Sequence, residues 1–171
     1  MRFLSAEPAI SGTKVMIEVE NQGKHMLKLS HLDHIVLRVS NLDAMTTFYC
    51  SVLGCTIERR QDAIGLLQLR AGKCLIDLVP VDGKLGKMGG AGPGPDGRNL
   101  DHFCFCVEPF DAAAIYAHLA RHGVAGGALE SRYGAAGQGP SIYLQDPEGN
   151  NIELKGPPLE PSCMFNDVNL A

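Results

Sequence analysis

The chain has 171 residues, 45% of them apolar and 20% charged, a composition typical of one globular domain and not of a disordered segment. The formal net charge is −4 and no run of five basic residues occurs, which argues against nucleic acid as a partner. No apolar stretch approaches the roughly 18 residues of a membrane-spanning helix, and the N-terminal segment lacks the apolar core of a secretory signal.

The six cysteines contain no C-x-x-C pair, which would be typical of a zinc or redox motif. In a chain without an export signal they are best interpreted as reduced thiols, most of them buried packing residues. We therefore expect a cytoplasmic protein with no membrane partner.

The two ends of the chain stand apart from its middle. Residues 1–30 form an N-terminal extension whose one pattern is a hairpin predicted to turn at Asn21, Gln22 and Gly23. Residues 159–171 form a C-terminal tail. The domain itself is predicted over residues 31–158.

An internal repeat organises that domain, because the tripeptide L-D-H at 32–34 recurs 68 residues later at 100–102. In both copies the tripeptide leads into a strand with alternating apolar residues. Apolar residues at helical spacing then predict helices over 41–54 and 110–123, each ending at a glycine.

Three strand-like runs follow each helix, so that each half reads β-α-β-β-β. The sequence therefore predicts an α+β fold of two tandem βαβββ modules, forming a curved mixed sheet around a central cavity. The runs are at 55–60, 65–71 and 73–81 in the first half, and at 128–134, 140–146 and 150–156 in the second.

The first module spans 31–83 and the second 100–158, with a glycine-rich linker at 84–99 in which no regular structure is expected. The second module is longer, and we assign its extra residues to a glycine-rich loop at 132–140. The segment D-P-E-G-N at 146–150 predicts a turn, since proline presets φ and glycine tolerates a positive φ.

Strand alternation places four ionisable side chains on the faces opposite the helices. His34 and Asp77 lie there in the first module, and His102 and Glu153 in the second. If the two sheets curve towards each other, these four side chains converge on one cavity. Two imidazoles with one or two carboxylates suit Zn, Ni, Co, Mn or Fe(II).

Two segments carry a resemblance to a known family. "LDHIVLRVSNLDAMTTFYCSVLG" and "SIYLQDPEGNNIELKG" resemble the opening and closing parts of the vicinal oxygen chelate superfamily, over about residues 30–158. That superfamily includes glyoxalase I, fosfomycin-resistance proteins, bleomycin-resistance proteins and extradiol dioxygenases. The second segment, with the residues before it, looks most similar to the glyoxalase-domain-containing 5 type.

The resemblance implies one divalent metal per site, with His34, His102 and Glu153 as its ligands. Asp77 stands where glyoxalase I has a glutamate, and acts either as a fourth ligand or as a general base. Fosfomycin-modifying members use three ligands, His-His-Glu, which this chain supplies without Asp77. The dioxygenase pattern from Tyr143 to Glu153 is also present, but the histidine that precedes it in those enzymes is missing.

The leading hypothesis is a glyoxalase-like enzyme that isomerises a small oxygen-rich substrate through chelation of two adjacent oxygens, as lactoylglutathione lyase does. Asp77, Tyr143 and Glu153 would be its catalytic residues, with Tyr143 donating to the oxyanion. Substrate contacts are assigned to Arg38, Arg132 and Cys104.

Two kinds of alternative remain open at the level of the sequence. The first is another reaction of the superfamily, namely extradiol dioxygenation or thiol transfer of the fosfomycin type. The second is a metal-free drug-binding protein resembling the bleomycin-resistance members. Metal content separates the second alternative from all the enzymes.

The resemblance also implies a symmetric homodimer. Each site would then take His34 and Asp77 from one subunit and His102 and Glu153 from the other. In a monomer, by contrast, the two modules of one chain would have to close on each other.

Overall fold

The computed structural model describes residues 29–96 and 98–158. The chain divides after His31 into two units, and all described helices and strands lie in the second unit, residues 32–171. The hairpin predicted near Gln22 and the tail at 159–171 lie outside the described residues.

The first module forms a four-stranded mixed sheet in the order β1-β4-β3-β2. Strand β1 runs parallel to β4, while the other neighbours are antiparallel. The predicted helix is an α-helix that continues as one π-helical segment. The elements are β1 (His34–Val39), α1 (Leu42–Thr47), the π-helical segment (Phe48–Val52), β2 (Thr56–Gln61), β3 (Leu66–Ala71) and β4 (Cys74–Pro80).

The second module repeats this topology as β5-β8-β7-β6, again with the first and last strands parallel. The predicted α+β class with paired βαβββ modules is confirmed. No helix in the described part of the chain is long and apolar enough to cross a membrane. The elements are β5 (His102–Cys106), α2 (Ala112–Arg121), β6 (Glu130–Gly134), β7 (Gly137–Gln145) and β8 (Asn151–Lys155).

One apolar core is shared by the two modules and sets the orientation of both sheets. Leu37 and Val39 of β1 are buried in it with Met45 of α1, and Ile152 and Leu154 of β8 belong to the same cluster. Removing this apolar surface from water is the main force that holds the modules together. The helix-facing sides of both sheets therefore point inwards.

The turn between β7 and β8 fastens the second module to the first. Asp146, which is buried, accepts hydrogen bonds from the backbone N–H groups of Glu148 and Asn150, as the predicted turn requires. Its other oxygen accepts from the hydroxyl of Tyr49, at 2.9 Å and with no solvent exposure. Burial, with the Asp146 charge, raises the pKa of Tyr49, so the phenol remains a donor.

The same turn also reaches the start of α1. Glu148 Oε1 accepts from the backbone N–H groups of Ser40 and Asn41, at 2.6 and 2.7 Å. A carboxylate at this end of a helix is stabilised by the free N–H groups there. The D-P-E-G-N sequence thus joins the two modules as well as reversing the chain.

The expectation of no regular structure at 84–99 is wrong for residues 86–89, which form a 3₁₀ helix. Arg38 stabilises this segment, because its guanidinium donates to four backbone carbonyls, at distances between 2.7 and 2.9 Å. These carbonyls belong to Gly86, Gly89, Gly90 and Ala91. A side chain from β1 thus holds this glycine-rich segment, together with backbone hydrogen bonds such as that from the Met88 N–H to the Leu85 carbonyl.

The expectation of a glycine-rich loop at 132–140 is also wrong, because these residues belong to the β6–β7 hairpin. Gly134 pairs with Gly137 at its tip, and the irregular segment lies earlier, at 124–129. The glycine content wrongly indicates a loop here, because these glycines leave space for side chains of neighbouring strands. A Cβ on Gly134 would lie 2.7 Å from Cε of Lys155.

Candidate metal centre

Each L-D-H tripeptide forms a histidine–aspartate pair. His34 Nδ1 lies 2.7 Å from Asp33 Oδ1, and His102 Nδ1 lies 2.8 Å from Asp101 Oδ2. A carboxylate on Nδ1 fixes the tautomer and the ring orientation, raises the basicity of the imidazole and leaves Nε2 for a metal. Neither aspartate is among the predicted site residues, although both belong to the repeated L-D-H tripeptide and could have been found from it.

In the second module, His102 is joined to Glu153 of β8, and the two form the second half-site together with Ser141 and Tyr143. Glu153 Oε2 lies 3.4 Å from His102 Nε2, and Oε1 accepts from Ser141 Oγ at 2.5 Å. Glu153 is 5% exposed, and this burial works to raise its pKa. Hydrogen bonds from Ser141, Tyr143 and Cys104 outweigh it and hold the pKa below its ordinary value, so the carboxylate is ionised near neutral pH.

Tyr143 and Cys104 border this carboxylate as proton donors. The ring of Tyr143 packs edge-on against His102, with 5.5 Å between centroids. Burial and the Glu153 charge raise the pKa of Tyr143, and the same two causes raise the pKa of Cys104 to about 12. Both groups are therefore protonated at neutral pH. Cys104 would have to lose its proton before it bound a metal.

In the first module, His34, Asp77 and Gln68 form the first half-site. Asp77 lies opposite Gln68 in the β3–β4 ladder and is 5% exposed. The amide nitrogen of Gln68 donates to both oxygens of Asp77, at 3.1 Å each. The hydrogen bond to Asp33 raises the pKa of His34 against the opposing effect of burial, and the Asp77 charge adds to the rise.

The two half-sites are not joined within the chain. Among residues 29–96 and 98–158, no group of three or more His, Cys, Asp or Glu side chains is placed to hold a metal ion. A cavity of about 620 Å³ adjoins His102 and Glu153, and all its lining residues lie between 102 and 158. Convergence of all four predicted residues inside one chain is therefore not found.

The comparison with protein families settles the assignment of the chain to one of them. The Glyoxalase/Bleomycin resistance protein/Dioxygenase superfamily matches residues 31–154. The chain belongs to this superfamily. The predicted resemblance to the vicinal oxygen chelate proteins is thereby confirmed, and the closer likeness to the glyoxalase-domain-containing 5 type stays a prediction.

Several solved structures share the fold of this chain. An integron cassette protein from Vibrio cholerae is 28% identical, with a TM-score of 0.61 over 77% of this chain and 98% of that one. A fosfomycin resistance protein from Listeria monocytogenes is 20% identical, with a TM-score of 0.58 over 78% and 96% of the two chains. Lactoylglutathione lyase from Agrobacterium tumefaciens is 20% identical, with a TM-score of 0.52 over 75% and 94%. The last two likenesses show the fold alone.

The two arginines predicted to bind substrate are both engaged within the chain. The terminal nitrogens of Arg38 donate to the carbonyls of residues 86–91, as described for the 3₁₀ helix. Arg132 forms an ion pair with its strand neighbour Glu130. An anionic substrate would have to displace these contacts, so a substrate role for either arginine stays a prediction.

Proposed function

We propose that this protein is a divalent-metal enzyme that acts on a small oxygen-rich substrate. His34, His102 and Glu153 would hold the metal. The observation that carries the proposal is the state of these donors. Both histidines have Nδ1 occupied by an aspartate and Nε2 left over, and the ionised Glu153 lies 3.4 Å from one of those Nε2 atoms.

The chemistry of the donor set fits a divalent cation. Neutral imidazole nitrogen and carboxylate oxygen together suit Zn, Ni, Co, Mn or Fe(II). When bound, the metal would act as a Lewis acid towards two adjacent substrate oxygens. Three protein ligands leave coordination positions open for those oxygens.

Asp77 is better suited to a neighbouring role than to direct ligation. Gln68 donates to both oxygens of this buried carboxylate, so a bond to the metal would compete with two hydrogen bonds. An ionised carboxylate has further lone pairs, and Asp77 keeps the capacity to accept a substrate proton as a general base. We therefore favour a three-ligand centre.

The protein is proposed to work as a symmetric homodimer, because one chain does not join its two half-sites. Each centre would combine His34 and Asp77 of one subunit with His102 and Glu153 of the other. The exposed surface supports this arrangement. Val36, on the same side of β1 as His34, is 52% exposed although it is apolar, and a second subunit would cover it.

The leading reaction is an isomerisation like that of lactoylglutathione lyase. Asp77 would accept the proton that leaves one substrate carbon and would return it to the adjacent carbon. The protonated hydroxyl of Tyr143 would donate to the oxygen on which negative charge develops. Glu153, held ionised by Ser141, would keep its charge throughout.

A second candidate, thiol addition to an epoxide, is favoured by one specific contact. Because Gln68 occupies both oxygens of Asp77, the three ligands of the fosfomycin type, His34, His102 and Glu153, would suffice without Asp77. Extradiol cleavage of a catechol ring by dioxygen is a further alternative, and it rests on the sequence pattern that runs from Tyr143 to Glu153.

Metal analysis of the full-length protein, purified without a histidine tag, tests the enzyme class. One divalent ion per chain is expected, and its loss in His34→Ala and in His102→Ala. Absence of stoichiometric metal, with drug binding unchanged in both variants, would favour a metal-free binding protein instead. Hemithioacetal isomerisation, thiol addition to an epoxide and catechol-dependent oxygen uptake then separate the three reactions.

A further inference from the structure

Lys155 is a buried cation that the proposed chemistry leaves without a role. It follows Glu153 by two residues in β8, so both side chains lie on the same face of the sheet. Lys155 is 6% exposed and lines the same cavity of about 620 Å³ as His102 and Glu153. Lysines are almost never buried to this extent unless an anion accompanies them.

The ammonium of Lys155 is held by backbone carbonyls rather than by a carboxylate. Nζ donates to the carbonyl of Arg132 and, at 3.3 Å, to that of Gly139. Within the described part of the chain it forms no ion pair. An ammonium has three N–H donors, so one remains for a further acceptor. A buried cation without an ion-pair partner is also unfavourable, which makes the position suited to an incoming negative charge.

The surrounding hairpin is shaped to fit this side chain. A Cβ on Gly134 would lie 2.7 Å from Cε and 3.0 Å from Cδ of Lys155, so an alanine there would displace the lysine. The turn residues Ala135 and Ala136 line the cavity beside it. The stem of Lys155 therefore lies over a position kept free of a side chain, and the residue itself lines the cavity.

We propose that Lys155 forms an anion subsite that binds a carboxylate or phosphonate group of the substrate. Its ammonium would take one end of a small organic anion. The other end, with its adjacent oxygens, would face His102 and Glu153. A cavity of about 620 Å³ is of the size that holds a small organic ligand. This use of the subsite rests on the proposed function, but binding of an anion at Lys155 does not require the metal.

Nuclear magnetic resonance of the full-length protein tests the subsite with three probes: methylphosphonate, D-lactate and the neutral analogue lactamide. Saturable shifts in the backbone amides of Gly134, Ala135 and Lys155 are expected with both anions. Lactamide is expected to bind at least tenfold more weakly. If the wild-type protein shows no such shifts, or shows them only at other residues, this experiment alone overturns the proposal.

Two variants sharpen the result. Lys155→Met is expected to weaken binding of both anions at least tenfold, and Lys155→Arg to preserve most of it. Gly134→Ala keeps the charge but crowds the lysine stem, so it should weaken binding severalfold even if Lys155→Met fails to fold. Unchanged anion affinity in a folded Lys155→Met protein would contradict the proposal.

Metal analysis of the same samples keeps the two proposals distinguishable. If anion binding depends on Lys155 in a protein without stoichiometric metal, the metal-enzyme proposal is contradicted and the anion subsite is supported. If Lys155→Met retains metal and binds the anions as the wild type does, the anion subsite is contradicted and the metal-enzyme proposal stands.

Discussion

The two half-sites differ mainly in how their carboxylates are held. In both modules an aspartate next to the histidine orients the imidazole ring through Nδ1. Glu153 is then approached by His102 and by the hydroxyl of Ser141, whereas Asp77 is held by the amide of Gln68. The two modules therefore share the aspartate that supports each histidine, and they differ in the residues that contact each carboxylate. In the proposed metal centre, the second half-site would supply His102 and Glu153 as ligands, and the first would supply mainly His34.

The largest expected effect is a difference in metal affinity between variants of the two carboxylates, Glu153 and Asp77. Glu153→Gln removes a proposed ligand and should weaken metal binding by more than about a hundredfold, beyond the effect of losing a supporting partner. Asp77→Asn should change metal affinity by less than about tenfold, since Gln68 rather than the metal holds that carboxylate. Competition with a fluorescent chelator measures both variants.

Equal losses of affinity in these two variants would show that Asp77 ligates directly, and the comparison of the half-sites would fail. Circular dichroism spectra that match the wild type serve as the control for folding.

The next effect concerns the hydroxyl that holds Glu153. Ser141→Ala removes a hydrogen bond from a buried carboxylate and should lower the free energy of unfolding by about 1–3 kcal/mol near pH 7. Because the folded pKa of Glu153 lies below its ordinary value of 4.5, this stability is present above pH 4.5 and is lost as the pH falls through the lowered pKa. Urea denaturation at several pH values measures it.

Ser131→Ala provides the matched control, because Ser131 is exposed and only accepts a hydrogen bond from Gln138. Its effect should stay within about 0.5 kcal/mol at every pH. A Ser141→Ala loss that did not shrink at acidic pH would mean that the hydroxyl supports packing and not the Glu153 charge.

The smallest effect concerns the pKa of His34. Asp33→Asn removes the carboxylate that raises this pKa, so the value should fall towards 6.5. Protons compete with a metal for the imidazole, and metal binding through His34 should then begin at a lower pH than in the wild type. A proton NMR titration of the His34 ring follows the change.

Asp101→Asn is the matched variant in the other module and should leave the pKa of His34 where it is in the wild type. If it moved that pKa as much as Asp33→Asn does, the two histidine–aspartate pairs would not be independent.

Strand alternation and the repeat predict most of the fold and the faces on which the site residues lie. His34 and Glu153 fall on the sides away from the core, because a period of two fixes the face of each strand residue. The supporting contacts depend on register between distant strands. The pairing of Gln68 with Asp77, and of Ser141 with Lys155, follows from hairpin lengths that composition alone does not fix.

Two errors have the same physical origin. Glycine-rich sequences at 84–99 and 132–140 read locally as loops, yet residues 86–89 are helical and 137–145 form a strand. In both, a long cationic side chain from another strand, Arg38 or Lys155, makes hydrogen bonds with the carbonyls. Such contacts cross the chain and leave no pattern in the neighbouring residues. The separation of the half-sites within one chain likewise depends on which faces share the core.

Assembly of each metal centre from two subunits is the central proposal for this protein. Mixing of His34→Ala and Glu153→Gln proteins, each without metal on its own, tests this directly after subunit exchange. In a heterodimer one centre would carry both changes and the other neither, so statistical exchange should restore about a quarter of the wild-type metal content. If no metal returns in a sample shown to contain heterodimers, the two half-sites are not shared between subunits.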